Sequence, residues 1–282
     1  MTWTLTTSPA DFRAAAYDFL TAEAVQNTVL LTVLDRLSAD LHAFGSEPPR
    51  FGWWRPEPQA PVRGAFLQTP PFGPRLSLMP GQACKDLAWA LHKAGVPLRS
   101  AAGEKMTVSI FARAWEGLTG ATAEPGMHEV LYRMTEPVDP DPAPAGGVRP
   151  AGEADHELLV AWSAAFAAEA GALIGEDLDA AVRQRIATGS FHCWVDEGRP
   201  VCFAGASPVV AGMSRIGPVY TPPELRGRGY ASGLVAAVSA HAAAQGAEDV
   251  LLFADVANRT SNSIYQKLGY REVQEALSVD FD

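Results

Sequence analysis

The sequence predicts an α/β chain in two similar halves. Three observations carry that expectation. Strand-like and helix-like patterns alternate along residues 148–282. A proline-rich break, Glu136 to Pro150, divides the chain near its middle. The strand–helix order of the second half recurs faintly in the first. With 282 residues, 48% of them hydrophobic and 19% charged, the chain has material for one large or two small cores.

In the first half, Asp11 to Leu41 contains helical segments. Arg50 to Trp54, Ala60 to Gln68 and Arg75 to Met79 read as strands, the last two flanking the Pro70-Pro71 turn. Cys84 to Ala94 reads as a helix stopped by Gly95, Thr107 to Leu118 as another, and His128 to Thr135 as a closing strand.

The break EPVDPDPAPAGGVRP holds five prolines, at 137, 140, 142, 144 and 150. Repeated proline blocks helix and central strand and favours an extended spacer. The expected organisation is therefore a domain at 1–136, a linker at 137–147 and a domain at 148–282.

In the second half, Asp155 to Ala170 has apolar residues near helical spacing with acids in its first turn, and Leu178 to Ala187 is a second helical stretch. Phe191 to Val195, Pro200 to Ala206 and Met213 to Thr221 read as strands, with Glu197-Gly198 turning between the first two. Ala231 to Gln245 is a long helix closed by Gly246. Val250 to Val256 is an apolar strand, Ser261 to Leu268 a short helix, and Tyr270 to Phe281 supplies one or two last strands.

Lysine and arginine number 22 against 32 aspartates and glutamates, a net charge of -10. Residues 1–139 hold 12 basic and 14 acidic side chains, so residues 140–282 hold 10 and 18 and carry most of the acidity. A sequence-independent nucleic-acid binder needs a basic surface, and so does a protein held on an anionic membrane, so the charge disfavours both. It suits a cationic or amine substrate. Cys84, Cys193 and Cys202 form no C-x-x-C motif, and the N-terminus lacks a signal-peptide pattern. A reducing, cytoplasmic setting is the expectation. The six histidines show no metal-ligand spacing, and no metal is expected.

The chemistry-bearing stretch is SRIGPVYTPPELRGRGYASGLVAAVSAHAAAQG, Ser214 to Gly246. A strand runs through a Pro-Pro corner into Arg226-Gly227-Arg228-Gly229-Tyr230-Ala231 and then a helix. Small residues there let backbone N–H groups face outward, and the helix N-terminus adds partial positive charge. Both suit a phosphate or pyrophosphate. The Walker A pattern is absent, and the dinucleotide fingerprint fails because the third glycine falls one place late, at Gly233. Arg226, Gly229 and Ala231 fit the template [RQ]-x-x-G-x-[GA]. Alone, such a run is also an ordinary solvated turn.

Downstream lies LLFADVANRTSNSIYQKLGYREV, Leu251 to Val273. Asn258, Ser261, Ile264, Tyr265, Leu268, Gly269 and Tyr270 stand at the spacing N-x-x-(A/S)-x-x-(L/I)-Y-x-x-L-G-(F/Y). The two stretches together, in this order and separation, resemble the GNAT superfamily of acyl-CoA-dependent N-acyltransferases. The direct match covers about 60 residues, and the strand–helix order extends it over 148–282.

The resemblance implies a mixed, mostly antiparallel sheet flanked by helices, in two tandem copies of which the first is degenerate. It implies acetyl-CoA as the acyl donor and cosubstrate, an amine as acceptor, and direct attack in a ternary complex. Val219, Tyr220 and Thr221 take the place of the strand that pairs with the pantetheine arm. Arg226, Gly227, Arg228, Gly229, Tyr230 and Ala231 take the place of the pyrophosphate cradle. Asn258 and Ser261 match positions that contact CoA, and Tyr265 the tyrosine that protonates the departing thiolate. Relatives carry a glutamate base on the strand before the asparagine. Here the only acid in that strand is Asp255, either the base or a structural acid orienting the Asn258 loop; Glu224, in the loop beside the arginines, and His192 and Asp196, on or just after the strand from Phe191, are the other candidates. Gly217-Pro218 inside the preceding strand predicts a bulge or splay.

Two rivals belong to other classes: a non-catalytic acyl-CoA sensor, which would have no use for Tyr265, and aminoacyl transfer from a charged RNA, which the net charge opposes. A thiol nucleophile at Cys193 or Cys202 would make a ping-pong enzyme, but both lie in apolar strands. The first-half counterpart of the phosphate loop, Met79 to Cys84, has one glycine, no arginine and a proline without an N–H. One CoA per chain is expected, on the second half alone, with the first half forming a wall of the acceptor pocket.

Overall fold

The computed structural model describes residues 2–171 and 177–282. In chain order the first half forms β1 (Thr2–Thr6), α1 (Pro9–Ala22), α2 (Thr28–Ala39), β2 (Arg50–Arg55), β3 (Gly64–Gln68), β4 (Arg75–Leu76), α3 (Gly81–Lys93), β5 (Ser100–Glu104), α4 (Lys105–Thr119) and β6 (Ala123–Met134). The second forms β7 (Gly147–Pro150), α5 (His156–Ala170), α6 (Leu178–Ala187), β8 (Phe191–Asp196), β9 (Arg199–Ala206), β10 (Met213–Tyr220), α7 (Tyr230–Ala244), β11 (Asp249–Asp255), α8 (Arg259–Lys267) and β12 (Tyr270–Phe281). Each half thus runs strand, two helices, three strands, helix, strand, helix, strand.

Strand pairing repeats as well. In the first half β1–β2, β2–β3 and β3–β4 are antiparallel and β4–β5 is parallel. In the second, β7–β8, β8–β9 and β9–β10 are antiparallel and β10–β11 is parallel. The parallel pairs are bridged by α3 and α7, as a parallel crossover requires. The faint repeat in the sequence is therefore a repeat of topology, and the expected mostly antiparallel mixed sheet is present.

The chain divides into two compact units, Met1–Leu131 with Val273–Asp282, and Tyr132–Glu272. Sequence patterning places the chain end with the second domain. Most of β12 belongs instead to the first unit, antiparallel to β5 from Ala276↔Glu104 to Asp280↔Ser100. Val279 and Phe281 are buried there with Phe66, Leu87, Phe111 and Trp115. An alternating strand pattern specifies a face and not a partner.

Local chemistry explains the element ends. Ser8 accepts the Asp11 N–H and precedes Pro9 at the start of α1. The Glu104 carboxylate accepts the N–H groups of Met106 and Thr107, starting α4 two residues before the expected Thr107, and Gly120 ends it at φ 76°. In the second unit, α5 and α6 cover one sheet face, with Leu159, Val182 and Ile186 against Phe191, Cys193, Phe203 and Tyr220. β8 alternates as a strand must. Phe191 and Cys193 join that cluster, while Trp194 meets Gly233 of α7 and the His192 ring lies 4.9 Å from that of His241.

Candidate functional site

The site is built where β10 leaves β11. Parallel pairing runs from Met213↔Asp249 to Ile216↔Leu252 and stops. On its other edge β10 shifts register against β9 between Ile216 and Val219, then resumes at Val219↔Ala204 and Tyr220↔Phe203. The shift falls at Gly217-Pro218, where proline cannot donate to a ladder. Arg185 braces it: its Nη2 donates to the Gly217 carbonyl at 2.9 Å and its guanidinium lies 4.3 Å from the Phe191 ring centre. The ends of β10 and β11 are thus unpaired with each other, and the segment Val219-Tyr220-Thr221 keeps an edge toward the gap. The Thr221 Oγ1, beside the Cys202 thiol, is buried without a hydrogen-bond partner among the described residues. An orphaned buried hydroxyl at such a gap fits a polar ligand.

From Thr221 the chain turns through a short 3-10 turn, Pro223–Leu225, to Arg226 and α7. Gly227 and Gly229 adopt φ of 78° and 80°, a region that a side chain enters only at a cost. Gly229 is the N-cap of α7 and offers no side chain. The Gly233 N–H bonds back to the Gly229 carbonyl at 3.1 Å, so those of Tyr230, Ala231 and Ser232 precede the first intrahelical bond. They are an uncapped donor set at the positive end of a helix.

The two arginines differ. Arg226 is engaged: Nε donates to the Thr221 carbonyl at 2.9 Å, Nη2 reaches both Glu169 oxygens at 3.0 and 2.7 Å, and the group lies 5.8 Å from the Tyr220 ring centre. It fixes the loop onto α5. Arg228 is exposed, beside the Tyr230 hydroxyl. That hydroxyl donates to Asp196 Oδ2 at 2.5 Å, and the carboxylate pushes the phenol pKa up. Tyr220 belongs to the α5–α6 face, its hydroxyl 3.5 Å from Glu169.

The proline-rich segment is not a free spacer. The Ala145 carbonyl accepts from Trp194 Nε1 at 2.8 Å. A Cβ on Gly233 would lie 2.6 Å from Pro144 Cγ and 2.8 Å from Trp194 Cη2. Glycine at 233, which made the dinucleotide fingerprint fail, is there so that Pro144 and Trp194 can lie on the first turn of α7.

At the end of β11, Asp255 is exposed and its Oδ1 accepts the Ala257 N–H at 2.7 Å. Asn258 caps α8, its Oδ1 accepting the Ser261 N–H at 3.0 Å. Asn262 Nδ2 donates to the carbonyls of Asp255 and Asn258, each at 2.9 Å. Tyr265 follows one turn after Ser261, 9% exposed, with Ser261 and Cys202 near its hydroxyl. Burial pushes its phenol up to about 12. Cys202 lies near both Thr221, after the end of β10, and Tyr265, in the last turn of α8.

The residues expected from sequence therefore gather at one end of the second unit's sheet. Glu169, Arg185 and the Pro144 segment carry no mark in the sequence, since nothing in the spacing points to a carboxylate 57 residues from its arginine; Asp196, a candidate for the base, instead accepts from Tyr230. All three cysteines are buried, and desolvation holds the Cys193 and Cys202 thiols at about 11 and about 12, unsuited to a nucleophile. Among the described residues no group of three or more His, Cys, Asp or Glu side chains gathers to hold a metal, and no helix is long and apolar enough to cross a membrane.

Residues 207–279 match the family model described as FR47-like protein. No curated protein matches the chain. Among solved structures, the chain is similar to an acetyltransferase of the GNAT family from Colwellia psychrerythraea, at 12% identity and a TM-score of 0.59 over 100% of both chains. It is similar to a GCN5-related N-acetyltransferase from Sphaerobacter thermophilus, at 16% identity and 0.63 over 98% of this chain and 94% of that one. A Drosophila protein aligns at 14% identity and 0.68 over 99% and 98%. The chain has the fold of the GNAT acetyltransferases, and its segment 207–279, which contains the loop from Arg226 and the helix of Tyr265, carries the FR47-like match.

Proposed function

We propose that this protein is an N-acetyltransferase that moves an acetyl group from acetyl-CoA to an amine by direct attack in a ternary complex. One observation carries the reading: β10 and β11 stop pairing at Ile216 and Leu252, beside a loop whose N–H groups at the start of α7 have no protein cap. The freed edge of Val219-Tyr220-Thr221 suits the amides of a pantetheine arm, as an added strand would. The N–H groups from Gly227 to Ala231, with Arg228 beside them, suit a pyrophosphate. Arg226 acts through Glu169 and Thr221 by holding that loop in shape, and Asn258 by starting α8.

The chemistry needs a neutral amine, a donor for the developing oxyanion and a proton for the leaving thiolate. Backbone N–H groups at the freed edge of β10 supply the second. Tyr265, whose phenol at about 12 stays protonated at neutral pH, supplies the third. Asp255 is the carboxylate base for the amine, directly or through water; its Oδ2 has no partner among the described residues. Among its described residues the first unit lacks an equivalent loop. Only Ser77 to Pro80 separate β4 from α3, Pro80 has no N–H, and β4 stays paired with β5 to its last residue, Leu76↔Gly103.

A second reading, a non-catalytic acyl-CoA sensor, is favoured by the structural hydrogen bonds of Asp255 and Asn258, each to a backbone N–H. The two separate in one experiment: acetyl-CoA with a panel of amines, amino acids, aminoglycosides and peptide N-termini, read as free thiol. Amine-dependent thiol release that is lost in Gly229→Asp supports the enzyme. Tight acetyl-CoA binding without turnover across the panel supports the sensor.

A further inference from the structure

The first unit carries an open groove of about 600 Å³ between α3 and α4, remote in sequence from every residue of the proposed donor site. Gly81, Lys85 and Trp89 line it from α3, one residue per turn, and Ile110, Arg113, Ala114 and Leu118 from α4. The opposite faces of both helices, through Leu87, Leu91, Phe111 and Trp115, are buried in the core. Yet Trp89 is 54% and Leu118 38% exposed. A Cβ on Gly81 would come within 3.4 Å of Ile110 Cδ1, so the helices close on each other at that end.

The charge of the groove is opposite to that of the chain. Lys85 and Arg113 have no hydrogen-bond or ion-pair partner among the described residues. Lys93 adds a third cation, its ammonium 4.8 Å from the centre of the Trp89 ring. The neighbouring acids are engaged elsewhere. Asp86 accepts from Trp54 Nε1 at 3.0 Å and Gln82 Nε2 at 2.7 Å, Glu116 from the Ala123 N–H at 2.9 Å, and Glu104 caps α4. Unneutralised cations above an apolar floor, on a chain of net charge -10, call for a ligand with apolar side chains flanked by carboxylates.

The geometry points to one occupant: an acidic amphipathic helix of a partner protein. From Gly81 to Trp89 the groove runs about 12 Å, two turns of helix, and a helix laid between two helices offers one anchor per turn. Trp89 is the aromatic anchor, and Lys85 and Arg113 set the charge of the partner. An anionic membrane fits less well, because the groove is concave and the rest of the chain would be repelled.

The test uses the full chain and a labelled synthetic peptide of about sixteen residues with leucine on one helical face and glutamate on its flanks, with a lysine-for-glutamate peptide as control. The acidic peptide is expected to bind and to raise anisotropy, with affinity falling about tenfold in Trp89→Ala. Lys85→Glu with Arg113→Glu should lose the acidic peptide and gain the basic one at unchanged melting temperature, since both side chains are exposed. Overturning results are equal affinity for both peptides, no binding, or binding that the charge reversal leaves intact. Self-association of the chain abolished by Trp89→Asp, or binding to phosphatidylserine vesicles through the same residues, would also overturn it.

Discussion

Tyr265 lies below the surface near Ser261, and that burial sets what it can do. A phenol at about 12 does not ionise in the working range, so it can give a proton to a thiolate without competing as a base. Tyr265→Phe should lower kcat by about 10²–10⁴-fold while the Kd for acetyl-CoA stays near wild type; an unchanged kcat in a chemistry-limited assay removes the role. In the wild type, kcat/KM should climb with pH as the acceptor amine loses its proton and should not turn down below about pH 11. A second titration concerns stability alone. Asp155 accepts from Arg149 at 2.6 and 2.8 Å and from the Gly152 N–H at 2.8 Å, and Arg149 first among these holds its carboxyl below the ordinary 3.8. A depressed folded pKa contributes stability that is present above the unfolded value and lost as pH falls through the folded one. Denaturant midpoints of the wild type should therefore fall below about pH 4, and Asp155→Asn should flatten that limb and cost about 1–3 kcal/mol at neutral pH. Single residues were legible where spacing carries meaning, as from Asn258 to Tyr265. Arg226 was legible as a member of the loop and not as the partner of Glu169, because only the fold brings α5 to it.

Among elements, the segment before β7 departs furthest from what its composition suggests. Proline does exclude helix there, but Pro144 and Ala145 are held on α7 by Trp194 and by the missing side chain of Gly233. Gly233→Val should lower stability by about 1–3 kcal/mol through overpacking, seen as a lower melting temperature. If the segment were a loose spacer, the substitution would leave the melting temperature unchanged. Elements with strong patterning, such as β8, β9 and α5 to α7, lie within a residue of expectation, and α8 starts two residues early, at Arg259. β5 and β1 were not legible: Ser-Ala-Ala-Gly-Glu has no β-branched or aromatic side chain, and β1 is a five-residue strand beside the chain start. α3 begins at Gly81, three residues before the expected Cys84, with Pro80 as its N-cap.

At the scale of the chain, the repeated order of strands and helices was visible in outline, and its pairing pattern was not, because pairing depends on contacts far apart in sequence. The crossing of β12 into the first unit is the clearest instance. The two units share a topology and differ where it bears on function. Between β10 and α7 lie residues 221–229, with two left-handed glycines; between β4 and α3 lie only residues 77–80. The account thus stands on a single donor site in the second unit, made by the splay after Ile216 and Leu252 and the uncapped start of α7. Calorimetric titration of the intact protein with acetyl-CoA, beside Gly229→Asp, tests this most directly. The predicted result is a stoichiometry near one for the wild type and no heat of binding for a variant that is still folded by circular dichroism. Two equivalent sites, no binding to the wild type, or undiminished binding to Gly229→Asp would contradict it.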